Sequence, residues 1–128
     1  MRGQLAATVL DQRGGVCQDF AHLAIALCRC MNIPARYCTG YLSEFGEPEP
    51  HAPNDFAGWM EVWLDGRWWV FDPRNNSRRM GRILIACGRD AADVPLTQTF
   101  GPSILTQFDV WTWDARHDAA ETAPVSRN

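Results

Sequence analysis

Residues 14–42 read GGVCQDFAHLAIALCRCMNIPARYCTGYL, a break, a helix, a stop and a strand in that order. Gly14-Gly15 interrupts whatever precedes it. From Val16 to Met31 the apolar positions Val16, Phe20, Leu23, Leu27 and Met31 step by four, three, four and four, which is the helical period. Ala21, Ala24, Ile25, Ala26 and Cys28 are apolar as well, so this helix is expected to be buried on most sides. Asn32 supplies a C-cap and Pro34 forbids continuation. Ala35–Leu42 then alternates and is rich in β-formers, so a strand follows.

Outward from this unit the chain turns to strands. Residues 1–13 are expected to form a short helical lead-in. Ser43–Asn54 is acidic, proline-rich and aperiodic, a loop. Phe56–Leu64 and Arg67–Phe71 flank Asp65-Gly66 as a hairpin. Asp72-Pro73 and Asn75-Asn76 turn the chain. Arg82–Ala86 predicts a short strand, Gly88–Pro95 is turn-rich, and Ile104–Trp113 alternates and predicts a last strand. Residues 115–128 have the composition of a disordered tail, leaving one domain over 1–114. One helix followed by an antiparallel run of strands is an α+β architecture.

Composition agrees with a single globular domain. The chain has 128 residues, 46% apolar and 21% charged, enough to bury a core. The net charge is −3 and the pI about 5.5, with scattered arginines, which argues against nucleic acid as a partner. No apolar run approaches the roughly 18 residues of a membrane span, and no signal-peptide pattern opens the chain, so a cytoplasmic location is expected. Five cysteines at 17, 28, 30, 38 and 87, with no CxxC pair, argue against a disulfide framework and a structural zinc site. No cofactor is implied, and no acidic loop has calcium-site spacing. The sequence carries no signal for oligomeric state.

Cys17 is the residue with chemical promise. Two glycines precede it and a helix follows, so its thiol sits at a helix N-terminus. Unpaired N–H groups there favour a thiolate and can hold an oxyanion. Spacing alone favours the plainer reading, a small core residue like Cys28 or Cys30.

The motif GGVCQDFAHL, the apolar helix and the strand in NIPARYCTGY resemble the transglutaminase-like superfamily, in its bacterial protease-like branch. DFAGWMEVWLDGRWWVFDPRN at 55–75 is similar to that family's D-x-H-A-W block and its F-D-P extension. MGRILIACGRDAADVPLTQTFG resembles the stretch that follows in a narrower bacterial subgroup. The resemblance implies a papain-like core with a Cys-His-Asp triad, acting on amide bonds of peptides or proteins through a thioester. Cys17 matches the nucleophile and Asp72 the acid that orients the imidazole. Trp59 is expected to wall the substrate cleft. Ala57 stands where the family histidine belongs. Family members usually carry helices upstream, so the resemblance also implies that an N-terminal part is missing here.

No other histidine is an evident substitute. His51 precedes position 57 by six residues, in the loop. His22 lies five residues after Cys17, about 500° around the helix and about 7.5 Å along it, and is read as a packing or hydrogen-bonding residue. His117 falls in the tail. Glu61 shares the strand face of Ala57 and Trp59 and is expected to bond a neighbouring loop, while Asp19 bonds loop N–H groups. Trp63, Trp68 and Trp69 are read as core or sheet-face aromatics, and Arg74, Arg78, Arg79 and Arg82 as a solvated face. Three functions follow: an active cysteine hydrolase or acyltransferase, a pseudoenzyme that binds peptide or protein, or a structural module of a longer protein.

Overall fold

In the computed structural model, which describes residues 8, 11, 15–43, 56–76 and 81–112, helix α1 spans Cys17–Cys30. Val16 is its N-cap in extended conformation and Met31 its C-cap. Asn32, the expected cap, lies one residue beyond the observed one in left-handed geometry (φ 58°), where asparagine is tolerated. The Ile33 N–H closes the end on the Cys28 carbonyl at 2.9 Å.

The strands are β1 (Ala35–Ser43), β2 (Phe56–Leu64), β3 (Arg67–Phe71) and β4 (Gly81–Gly88), all paired antiparallel in the order β3-β2-β1-β4. β2 and β3 have the bounds the sequence predicts. Asp65 (φ 49°) and Gly66 (φ 78°) are both left-handed, as a type I′ hairpin requires. β4 runs further at both ends than RILIA suggests, because β1 offers it partners from Tyr37 to Ser43. Its register against β1 shifts between Thr39 and Gly40.

Side-chain alternation divides the sheet into two faces. One face presents Tyr37, Met60 and Val62 to Ala21 and Ile25 of α1. The other gathers Cys38, Leu42, Ala57 and Trp59, with Cys17 and Cys87 packed against them. The helix face that docks is therefore Ala21, Ala24, Ile25 and Cys28, not the larger stripe through Leu27 and Met31, which are 53% and 72% exposed. Small residues let the helix axis approach the sheet, so the strongest periodic stripe is not the buried one. Loop 89–94 returns over α1: the Ala91 N–H donates to His22 Nε2 at 3.0 Å, and Arg29 Nη2 donates to the Arg89 carbonyl at 2.7 Å.

The last expected strand does not form. Between Ile104 and Thr112 the only regular feature is an isolated bridge at Val110. Ile104 and Leu105 are largely exposed. Alternation supplies β-propensity, but a strand needs a ladder of paired residues, and in this described segment only Val110 forms a bridge. The lead-in at 1–13 is helical at Thr8 and Asp11. The rest of that lead-in, most of the 43–54 loop and the tail lie outside the described residues, as do His51 and His117.

Candidate active site

Cys17 is the first residue of α1 and is half-buried against the cluster of Cys38, Leu42, Ala57 and Trp59. The helix start is fixed locally. Asp19 Oδ2 accepts the Val16 N–H at 2.9 Å, and the Val16 carbonyl accepts the N–H groups of Asp19 and Phe20. This is the loop bonding expected of Asp19, half of a capping box. Among the described residues no bond engages the N–H of Cys17 or Gln18. The N–H groups of Cys17 and Gln18 belong to the first turn of α1, where no intrahelical carbonyl can accept them.

Ala57 lies on β2 opposite Gly40 and is buried in the same cluster as Cys17. A methyl group offers no proton acceptor. Gly58, on the other face, is needed for Tyr37: a Cβ there would run into the Tyr37 hydroxyl. Gly40 is equally constrained, since a Cβ would meet the Ile83 carbonyl and the edge of the Trp59 ring. Trp59 itself is only 2% exposed. It lies within the core and offers a substrate little surface.

Asp72, just past β3, faces a different partner from the one expected. Its Oδ2 accepts from Arg82 Nη2 at 2.9 Å and from Asn75 Nδ2 at 2.9 Å, and its Oδ1 accepts from the Asn75 N–H at 3.1 Å. Burial pulls its pKa upward, but the Asn75 and Arg82 hydrogen bonds together outweigh that and hold it below the ordinary aspartate value. The Arg82 side chain is 14% exposed and its guanidinium lies 5.9 Å from the Trp59 ring centre. Arg82 therefore does not belong to a solvated face. Its sequence context misled because Arg74, Arg78 and Arg79 precede it, and only the sheet's curl brings it inward. Asp72 and Arg82 lie at opposite edges, three strand spacings or about 14 Å apart in a flat sheet, beyond the reach of one arginine.

The other candidates resolve as follows. His22 Nε2 is occupied by the Ala91 N–H, and its ring meets Tyr37 edge-on at 5.5 Å, a packing role as read. Glu61 bonds a strand neighbour rather than a loop: it accepts from Arg36 Nε at 2.8 Å, directly across β1. Trp63, Trp68 and Trp69 are sheet-face aromatics on the β2–β3 hairpin, with Arg36 4.2 Å over Trp68 and Arg67 3.5 Å over Trp69. An apolar groove of about 350 Å³, lined in part by Ala24, Cys28, Met60, Val62 and Phe71, lies under the C-terminal half of α1; Cys17, Ala57 and Trp59 do not line it. Among the described residues, one set of possible metal donors occurs, Cys38, Glu61 and Cys87, with donor atoms within 4.8 Å of one another. No described helix is long and apolar enough to cross a membrane.

Comparison with known proteins locates this arrangement. A model of the transglutaminase-like superfamily matches residues 1–73, a span that holds Cys17, Ala57 and Asp72. An uncharacterised protein of Mycobacterium leprae is 38% identical over 111 residues, covering 79% of this chain and 37% of its own length. An uncharacterised protein of Mycobacterium tuberculosis is 41% identical over 98 residues, covering 68% of this chain and 31% of its own. A crystal structure described as a candidate cysteine protease from Cytophaga hutchinsonii superimposes with a TM-score of 0.64 at 38% identity, over 85% of this chain and 39% of that one. The chain thus spans less than two fifths of each of these proteins.

Proposed function

Because the chain belongs to the transglutaminase-like superfamily, we propose that it is the core of a cysteine hydrolase or acyltransferase that acts on amide bonds of peptides or proteins through a thioester on Cys17. The observation that carries this reading is the placement of Cys17 at the start of α1, against the β2 cluster and beside two backbone donors. In the reaction the Cys17 sulfur attacks the amide carbonyl carbon. The carbonyl oxygen becomes an oxyanion held by the Cys17 and Gln18 N–H groups. The C–N bond breaks, the amine leaves with a proton, and a thioester remains. Water or a second amine then attacks, and the thiol returns.

Ala57 limits this chemistry. A positioned imidazole that takes the thiol proton and delivers one to the leaving amine contributes about 10²- to 10⁴-fold. Amide turnover by this chain is therefore slow, and acyl groups whose leaving group needs no proton are favoured. Incubation with p-nitrophenyl acetate tests the reading. The expected result is one acetyl group on Cys17, with a stoichiometric burst and slow release, and no burst in Cys17→Ser. Uniform acetylation of all the cysteines would contradict it.

A second reading rests on the Asp72–Arg82 pair. An acid already engaged by arginine and asparagine suits a fold kept for binding peptide or protein without turnover. Peptide binding that survives Cys17→Ser, with no acyl-enzyme formed by the wild type, supports this reading over the first.

A further inference from the structure

Cys38 and Cys87 are directly opposite each other on β1 and β4, and their sulfurs are 3.1 Å apart. Among the described residues, no other pair of cysteines makes such a contact. We propose that these two residues are an oxidisable pair that closes to a cross-strand disulfide, with a low-molecular-weight disulfide as the oxidant. The inference is independent of the chemistry assigned to Cys17.

The geometry favours closure. Facing residues of an antiparallel pair have Cα atoms about 4.5–5.5 Å apart, inside the range of about 4.4–6.8 Å that a disulfide spans. The sulfurs must move together by only about 1 Å to reach the bond length of about 2.05 Å. Access is asymmetric: Cys38 is fully buried, whereas Cys87 is half-buried. Cys87 therefore meets the oxidant first. Its sulfur attacks RSSR, the oxidant's S–S bond breaks, and RSH leaves with the Cys87 proton, giving a Cys87–SR mixed disulfide. The Cys38 sulfur then attacks Cys87 Sγ and expels the second RSH with its own proton. Two protein thiols are oxidised and one external disulfide is reduced. Burial and the contact with Cys87 push the Cys38 thiol upward, so this second step is the slower one.

The competing occupants of the site fit less well. Two thiolates on a tetrahedral zinc, at about 2.3 Å each, stand about 3.8 Å apart, wider than these sulfurs. The third donor, Glu61, already holds the Arg36 guanidinium. Cys28 and Cys30 are two positions apart on α1, about 200° around the axis, and cannot join. The Cys38–Cys87 pair also adjoins the register shift between Thr39 and Gly40. A bond there ties β4 to β1 beside the strand segment that backs Trp59.

The test treats the full chain with hydroxyethyl disulfide, alkylates remaining thiols under denaturing conditions, and maps tryptic peptides without reduction. The proposal predicts a linked peptide joining residues 37–67 to 83–89, in the wild type and in a Cys17→Ser/Cys28→Ser/Cys30→Ser variant. The wild type should also gain roughly 5–10 °C in melting midpoint on oxidation, reversed by dithiothreitol. Full alkylation of Cys38 and Cys87 after oxidant treatment of the wild type would overturn the proposal. So would stoichiometric zinc retained after desalting that protects both thiols from the oxidant.

Discussion

Arg82 Nη2 lies 2.9 Å from Asp72 Oδ2, and this ion pair joins the two edges of the curled sheet. Asn75 completes the cage around the carboxylate. Removing either partner breaks a charge pair whose side chains are only 14% and 4% exposed, which costs about 3–5 kcal/mol. Asp72→Asn and Arg82→Met are each expected to lower the unfolding free energy in urea by about that amount. The double variant Asp72→Asn/Arg82→Met should lose clearly less than the sum. Additive losses would show that the pair does not act as a unit.

The same pair sets a pH dependence. Asp72 is held below the ordinary carboxylate range by Asn75 and Arg82, against the opposing pull of burial. A depressed folded-state pKa stabilises the fold above the unfolded value, about 3.9, and the gain is lost as pH falls through the folded value. The melting midpoint should therefore fall as pH drops below about 4. Asp72→Asn should start lower at pH 7 and show a shallower acid slope. Parallel curves would place the acid sensitivity elsewhere.

Much of this arrangement is legible in the sequence, and the exceptions have a common cause. α1, β1 and the β2–β3 hairpin follow from local signals: period, Pro34, Asp65-Gly66. Cys17 and Ala57 are found by motif, and they pack on one cluster. Arg82 is missed because its role depends on sheet curl, which no local pattern records. The Cys38–Cys87 pair is missed because 49 residues separate its members and only strand pairing brings them opposite. Ile104–Trp113 fails in the other direction: its alternation signals a strand, but among its described residues only Val110 finds a bridge partner.

Gly58 is a point of tight packing rather than flexibility. Its missing Cβ makes room for the Tyr37 hydroxyl, and Tyr37 in turn meets the His22 ring. Gly58→Ala is expected to cost about 1–3 kcal/mol by overpacking, read as a lower urea midpoint with an unchanged slope. A neutral substitution would mean that Tyr37 moves aside freely.

Position 57 carries the central claim of the proposal, that Cys17 is placed for acyl transfer and that Ala57 denies it a base. The most direct measurement is steady-state p-nitrophenyl acetate hydrolysis by Ala57→His, with circular dichroism and melting midpoint confirming the fold. The account predicts a rise of about 10²- to 10⁴-fold in turnover over the wild type, abolished by adding Cys17→Ser. A folded Ala57→His chain that is no faster, or one whose gain survives Cys17→Ser, would contradict it.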